Sequence, residues 1–282
     1  DDKYKKRLTQ SIIDRYINLE KLDASHIPKI TNELNIVYKH MISKIPFADN
    51  LIKLLVSTNK SLIMYYDELE YWAKVFNMPF HQVLIMQLLY ELSSACTTVI
   101  VDNTMFRTMD WNMPFLKTLT YIGKFYKNNV EIYKGVCWLG SVGLFTGKSV
   151  QHNYSVAINY RRLQNITLSS IINNYMNTMN KYWPVSYLLR YVFENNFCFD
   201  EATNYLKSSP VISPVYYSVN EFTKQPFVIR RTPKEHTIHN DKYIIQTNCD
   251  DLNNGDNILY SYERIKTVKN VLEQYDGKDK TD

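Results

Sequence analysis

One cysteine of this sequence, Cys96, stands where an apolar stretch of helical character gives way to β-branched residues, and Arg107 and Asp110 follow it closely. A thiol becomes a strong nucleophile when it ionises, and a nearby guanidinium favours the thiolate by its charge. If the preceding peptide bond is cut, Cys96 also gains an α-amine, whose reference pKa of about 7.7 to 8.0 suits a base near neutrality. The sequence therefore favours a chain that cuts itself between Ala95 and Cys96.

The spacing of Arg107 and Asp110 sets a condition on the local structure. Asp110 is expected to accept hydrogen bonds from the α-ammonium, yet residues three apart on an ideal strand point to opposite faces. A bend or a strand end near Met109 is therefore predicted. Cysteine is also one of the residue types most often buried, so plain packing of Cys96 stays open on spacing alone.

Hydrophobic periodicity predicts helices before Cys96 and strands from it onward. Residues 61–76 repeat apolar side chains every three and four positions, and Pro79 suits the first turn of a second helix. Runs of β-branched and aromatic residues then comprise TTVIV, TLTYIGKFY, VEIYKGVCWLG and NYSVAINY. The nucleophile is thus expected at the start of a sheet-forming region.

The rest of the sequence alternates between the same two patterns. LSSIINNYMNTMNKY and PVSYLLRYVFENN predict helices, and SPVYYSV, PFVIRR and KYIIQTN predict strands. ERIKTVKNVLEQY predicts a last helix, followed by DGKDKTD as a frayed tail. No internal repeat or low-complexity linker divides the chain, so we expect one compact unit of layered helices and sheets.

Composition argues against several functions and leaves the compartment open. The 282 residues carry a net charge of +5, but acidic and basic residues are interspersed, which gives nucleic-acid binding little support. No apolar run approaches the roughly 18 residues of a membrane span, and DDKYKKRL is unlike a secretory signal, so a soluble chain is expected. Sequons at Asn59, Asn153 and Asn165 would permit glycosylation, although an Asn-rich chain produces them by chance.

Other candidate sites carry weaker signals. His236 and His239 have an i, i+3 spacing without a third ligand in view, and a surface turn is the favoured interpretation. Four scattered cysteines support neither a disulfide framework nor a zinc site, and Cys137 and Cys249 are expected in the core. Residues 147–149 read GKS like a phosphate loop, but a valine stands where that motif needs its first glycine. We therefore expect no metal and no cofactor.

Six separate blocks between Tyr65 and Lys269 give the strongest signal, because their order and rough spacing resemble those of the acid ceramidase family. That family includes N-acylethanolamine acid amidase, and in it an N-terminal cysteine hydrolyses fatty amides. The blocks are ELEYWAKVFNMPFHQVLIMQLLYELSSACTTVIV, FRTMDW, WLGSVGLFTGKS, PVSYLLR, SPVYYSV and IIQTNCD.

The resemblance implies a fold and a division of the chain. The fold would be the four-layer αββα arrangement of N-terminal-nucleophile hydrolases, in the α+β class. Self-cleavage of the Ala95–Cys96 bond would leave residues 1–95 as a helical subunit that stays bound, and residues 96–282 as the catalytic subunit.

The resemblance also implies roles for single residues. Cys96 would be the nucleophile, Arg107 would polarise its thiolate, and Asp110 would bind its amine. Asn248 would help form the oxyanion hole, a role that suits an uncharged amide donor. Arg264 matches a family arginine near the site.

An acyl chain would lie beside the glycine-containing loop in this interpretation. Its wall would be formed by Trp138, Leu144 and Phe145, although ordinary core packing explains these side chains equally well. Tyr160 is assigned to substrate binding, and it stands where the family usually has a glutamate. It can hydrogen-bond but supplies no negative charge. The chain also ends soon after ERIKTVKNVLEQY, where family members continue into further strands, so an exposed sheet edge is expected unless another element covers it.

The function implied by the resemblance is hydrolysis of a long-chain N-acyl amide, such as a ceramide or an N-acylethanolamine, through a Cys96 thioester. Two alternatives stay open: a hydrolase of another amide, of the bile-salt or β-lactam type, and a weakly active or inactive lipid-binding relative. Expected partners are the lipid amide, the chain's own cleaved fragments and a membrane surface. The resemblance implies a lysosomal or secreted protein, with a cytoplasmic location as the alternative.

Overall fold

The computed structural model describes residues 27–42, 48–58, 63–87, 95–110, 116–161, 182–250 and 257–278. The elements that it describes before Ala95 are all helical: α1 Ile27–Ile42, α2 Ala48–Thr58, α3 Tyr66–Val75 and α4 Phe80–Met86. Pro79 precedes α4 as its N-cap, with the fixed φ that suits a helix start. The predicted helical character is confirmed over these residues, but α3 begins at Tyr66 and not at Ser61.

The strands that the structure describes form two antiparallel sheets. One sheet is a seven-stranded meander whose spatial order follows the chain: β3 Thr120–Lys127, β4 Val130–Trp138, β5 Thr146–Ser149, β6 Tyr154–Tyr160, β7 Val215–Glu221, β8 Phe227–Arg231 and β9 His236–Asn240. The other sheet has three strands, with β1 Ala95–Val101 between β2 Thr104–Asp110 and β10 Ile244–Gln246. Cys96 therefore lies on the central strand of the small sheet.

A short 3-10 helix, Ile258–Tyr260, and four more α-helices complete the described fold: α5 Leu116–Leu119, α6 Val185–Glu194, α7 Phe199–Ser208 and α8 Ser261–Lys278. Helices α6 and α7 bury their apolar faces on one side of the seven-stranded sheet. The three-stranded sheet covers part of the other side, and α8 packs against β10. The order of layers is helix, sheet, sheet, helix, which confirms the predicted αββα arrangement and the α+β class.

Strand β7 shows how the sequence builds two cores from one sheet. Side chains alternate along a strand with a period of two, so neighbouring residues face opposite layers. Tyr217 packs in the cluster under α6 and α7, whereas Tyr216 packs with Ile100 and Ile244 between the two sheets. Both tyrosines are buried, which explains why SPVYYSV is apolar on both faces.

The helices that precede Ala95 pack on the sheet-forming part of the chain through one apolar cluster. Leu69 and Trp72 of α3 contact residues from α6 and from the connection between β4 and β5, including Val142 and Tyr187. Gln87 adds polar contacts there, because its amide nitrogen donates to the Gly140 carbonyl at 2.9 Å and its oxygen accepts from the Val142 amide at 2.8 Å.

Several details differ from the sequence predictions. His236 and His239 lie in strand β9 and not in a surface turn, and GKS forms most of β5. The final helix extends through Lys278, into the segment predicted to fray. Helix α7 was not predicted. The predicted helix LSSIINNYMNTMNKY lies almost wholly outside the described residues, as do the sequons at Asn59 and Asn165.

Candidate active site

A tight hairpin places Cys96 beside the strand that carries Arg107. Asp102 and Asn103 form its turn with positive φ angles of 45° and 61°, a conformation that aspartate and asparagine tolerate. The register is regular from the turn to the strand end, with Cys96 opposite Met109. Strand β2 stays extended through Met109, so the structure shows no bend there, and the described strand ends at the next residue, Asp110.

Arg107 reaches across this hairpin to the thiol. Its Nη2 donates to Cys96 Sγ at 3.3 Å, and its Nε donates to the Ile158 carbonyl of β6 at 3.1 Å. The carbonyl fixes the guanidinium, while the thiol is fully buried. A guanidinium held in this position directs its positive charge at the sulfur atom.

Asp110 lies directly opposite Ala95 in the hairpin register. Its backbone is therefore beside the bond that is predicted to be cut. The contact of its carboxylate with the amine of Cys96 stays a prediction.

Asn248 binds the backbone nitrogen of Cys96. This nitrogen donates to Asn248 Oδ1 at 3.0 Å, across 152 residues of sequence. Asn248 Nδ2 donates to the Tyr160 carbonyl at 2.8 Å, at the end of β6. The amide oxygen thus faces the atom that would become the α-amine, and the oxyanion role of Asn248 stays a prediction.

Arg264 completes the set from helix α8. It donates to the Cys96 carbonyl, to Thr97 Oγ1 at 2.9 Å and to Asn248 Oδ1 at 2.8 Å. Ser261, one turn earlier on α8, accepts from Arg264 at 3.2 Å and also from the Asn248 backbone nitrogen at 3.2 Å. The structure therefore brings Cys96, Arg107, Asn248 and Arg264 together, as the resemblance implies.

Asn159 is a site residue that sequence reasoning missed. It is fully buried on the face of β6 that meets the small sheet, where its Oδ1 accepts from Thr98 Oγ1 at 2.6 Å. Its Nδ2 donates to the Gln246 carbonyl at 2.7 Å, just before the segment that carries Asn248. The sequence signal was an asparagine within a strand that is otherwise apolar, next to Tyr160.

The four residues assigned to substrate binding lie in three different settings. The rings of Trp138 and Phe145 pack with centroids 4.6 Å apart and planes tilted by 43°, and they line an apolar pocket with the α4 residues Val83 and Met86. Leu144 is fully buried behind this wall, against Gly135 and Gly147. Tyr160 is buried in the same core cluster as Cys96 and Phe145.

Other candidate residues fall outside the site. Cys137 and Cys249 are buried, as predicted. Among the described residues, no group of three or more histidine, cysteine, aspartate or glutamate side chains is placed to hold a metal ion. None of the described helices has the length and apolar character of a membrane span.

No protein-family model matches the chain. An uncharacterized protein of Acanthamoeba polyphaga mimivirus is 33% identical over 244 residues, which cover 83% of this chain and 76% of that protein. The acid ceramidase of Mus musculus is 27% identical over 233 residues, or 73% of this chain and 58% of the enzyme. The chain thus spans little more than half the length of the acid ceramidases that it matches.

A solved structure also aligns with the chain. It is the N-acylethanolamine-hydrolyzing acid amidase ortholog of Caenorhabditis elegans, with 24% identity, a TM-score of 0.48, and coverage of 55% of this chain and 71% of that one.

Layered helices and antiparallel sheets, with a first-strand cysteine whose thiol accepts from an arginine and whose nitrogen donates to an asparagine, define a protein with the N-terminal-nucleophile fold. The relatives that it resembles in sequence include proteins of a mimivirus and of mammals. The sequence similarity to acid ceramidases supports an acid ceramidase-like family for this chain.

Proposed function

We propose that this protein is an amidohydrolase that cleaves long-chain N-acyl amides to a fatty acid and an amine, after it has cut its own chain between Ala95 and Cys96. One observation carries the proposal: three different side chains bind three different atoms of Cys96. Arg107 donates to its thiol, Asn248 accepts from its nitrogen, and Arg264 donates to its carbonyl. Ordinary packing of a buried cysteine requires none of these contacts.

Self-cleavage uses the thiol against the neighbouring peptide bond. Cys96 Sγ attacks the Ala95 carbonyl carbon, the bond to the Cys96 nitrogen breaks, and that nitrogen takes up the thiol proton. Water then hydrolyses the thioester and releases the Ala95 carboxylate. Asn248 keeps its contact with the nitrogen throughout, because an amide oxygen accepts from both a peptide N–H and an α-amine.

Hydrolysis of the substrate repeats the same acyl transfer on another amide. The α-amine accepts the thiol proton, Sγ attacks the substrate carbonyl carbon, and the amine returns the proton to the leaving nitrogen. Water hydrolyses the resulting thioester to the fatty acid and restores the thiol. Arg107 stabilises the sulfur anion at the start and at the end of the cycle.

The apolar lining of the pocket between α4 and the glycine-containing loop supports the proposal that the substrate carries an acyl chain. Its wall is formed by Phe76, Val83, Leu119, Trp138 and Phe145, and Phe145 shares a buried cluster with Cys96. A site for a hydrocarbon chain needs an apolar wall with few polar groups, and this pocket has one. The sequence relatives named acid ceramidase agree with a ceramide-like amide substrate.

A panel of fatty amides tests this proposal. Purified protein is incubated with N-palmitoyl ethanolamine, N-lauroyl sphingosine and N-acetyl ethanolamine, and the released acid is measured. We expect hydrolysis of the two long-chain amides, at least tenfold lower kcat/KM for the acetyl amide, and no hydrolysis by Cys96→Ala. Equal activity of the Cys96→Ala variant would exclude the nucleophile, and preference for the acetyl amide would exclude the acyl pocket.

A further inference from the structure

Asp250 lies two residues after Asn248, and its side chain is bound by residues of two other strands or strand ends. Arg161, which follows β6, donates from Nε to Oδ1 at 2.9 Å and from Nη2 to Oδ2 at 2.6 Å. The hydroxyl of Tyr216 on β7 donates to Oδ1 at 2.7 Å, and Arg230 on β8 donates to the Asp250 backbone carbonyl at 2.6 Å. Bidentate arginine pairs of this kind fix geometry as well as charge.

The surroundings keep this cluster charged. Burial favours the neutral form of Asp250, but the hydrogen bonds from Arg161 and Tyr216 hold the pKa of its carboxyl below the ordinary value. Burial likewise disfavours the Arg161 cation, and the contact with Asp250 keeps the pKa of Arg161 above its ordinary value. The pair is therefore ionised wherever the protein is folded near neutral pH.

The segment that carries Asn248 is consequently tied to the end of β6 at two successive residues. Asn248 Nδ2 binds the Tyr160 carbonyl, and Asp250 binds the side chain of Arg161, the next residue. The first tie sets the orientation of the amide whose oxygen accepts from the Cys96 nitrogen. The second tie holds the backbone from which that amide projects.

We propose that Asp250 is a positioning residue for the reaction of Cys96. Its ion pair with Arg161 holds Asn248 Oδ1 against the nitrogen of Cys96, before and after the chain is cut. This inference rests on the proposed function. It assigns to Asp250 no contact with the substrate.

Asp250→Asn is the variant that tests it, because the amide keeps the size and shape of the side chain and removes its charge. In the cleaved protein, Asn248 Oδ1 favours the charged α-ammonium by accepting its hydrogen bond. A displaced Asn248 therefore lowers the pKa of the amine. Since the neutral amine is the base, the acid limb of the kcat profile moves to lower pH.

We expect Asp250→Asn to lower kcat and the self-cleavage rate about tenfold, with KM changed less than about twofold and the acid limb shifted down by about half a pH unit. Loss of stability alone would lower activity without moving this limb. Asp200→Asn is the matched control, because this aspartate is 80% exposed on α7, and it should match the wild type.

Tyr216→Phe provides a second test that removes one hydrogen bond from Asp250 and leaves the ion pair in place. We expect a smaller loss of kcat, about twofold to threefold, with the limb shifted in the same direction. An Asp250→Asn protein with wild-type kcat, cleavage rate and pH profile would overturn the inference. If Asp250→Asn fails to fold, a Tyr216→Phe protein whose kcat profile keeps the wild-type acid limb would overturn it. A wild-type chain without amidase activity would instead overturn the proposed function and this inference with it.

Discussion

Two clusters of this protein are centred on arginine side chains, and the arginines of the two clusters bind different kinds of atoms. Arg190 of α6 is 1% exposed and contacts two carboxylates, Glu68 at 2.7 Å and Glu194 at 2.6 Å. Its remaining described contacts are the Val142 carbonyl and the ring of Tyr65, 4.2 Å from the guanidinium carbon. Burial opposes the charge of Arg190, yet Glu194 and Glu68 hold its pKa well above the ordinary value.

The arginines at Cys96 direct their hydrogen bonds to other kinds of atoms. The bonds described for Arg107 go to a thiol and a carbonyl, and those of Arg264 go to a carbonyl, two hydroxyls and an amide oxygen. The Arg190 cluster joins helix α3 to helix α6 through charge neutralisation. The site cluster instead directs the positive charge of Arg107 at the reacting sulfur atom, and Arg264 holds the backbone of the same residue through its carbonyl.

Breaking the Arg190 cluster should produce the largest change in stability. Glu68→Ala leaves a buried guanidinium with one carboxylate fewer, and removing one partner of such a pair costs about 3 to 5 kcal/mol. Chemical denaturation in a Cys96→Ala background measures this on a chain that stays in one piece. Glu70→Ala on the same helix is the control, since its pair with Lys74 is exposed and is worth less than about 1 kcal/mol.

A second variant sharpens this comparison. Glu68→Leu combined with Arg190→Met replaces the pair by apolar groups, which is often neutral or stabilising for buried ion pairs. The double variant should therefore be more stable than Glu68→Ala alone. If Glu68→Ala unfolds at the same denaturant concentration as Glu70→Ala, the pair does not hold the two segments together.

Breaking the site cluster should change activity more than stability. Arg107→Gln keeps a hydrogen-bond donor near the thiol and removes the charge that favours the thiolate, so we expect kcat/KM to fall about 100-fold, or roughly 2.7 kcal/mol. Arg107→Lys keeps the charge but loses the forked guanidinium that binds the sulfur and the Ile158 carbonyl together. Its kcat/KM should therefore lie between those of the wild type and Arg107→Gln.

Fatty-amide hydrolysis by cleaved protein and denaturation curves together check the Arg107 prediction. The free energy of unfolding should change by less than about 1 kcal/mol, since the guanidinium is only half-buried. A large loss of stability with unchanged activity would assign Arg107 to the same structural role as Arg190.

The sequence predicted the parts of the fold that depend on long, regular patterns. Helix α6 and strands β1, β4, β6 and β7 have strong periodicity or β-branched content, and their positions are confirmed. Strand β9 is largely exposed and polar, and β5 is only four residues long. Neither strand therefore has an alternation of apolar and polar residues long enough to predict it from the sequence. Helix α7 was missed because FDEATNYLKS contains few apolar residues, although Glu201 closes a capping box at its start.

The site residues, like the strands and helices, include some that the sequence predicts and some that it does not. Cys96, Arg107, Asn248 and Arg264 were identified through blocks of resemblance, and the structure brings them together. The orientation of the Asn248 amide and the contacts of Asn159 depend on how β6 meets the segment after β10, which no local pattern encodes. Glu68 and Arg190 are 122 residues apart in the sequence, so no local sequence pattern predicts their ion pair either.

The most direct test of the account is the mass of the purified protein after incubation at acidic and at neutral pH. We expect the wild type to separate under denaturing conditions into two fragments, one ending at Ala95 and one beginning at Cys96. The Cys96→Ala protein should stay as one chain under the same conditions. A wild-type chain that stays intact at both pH values, or a Cys96→Ala chain that is cut at the same bond, would contradict it.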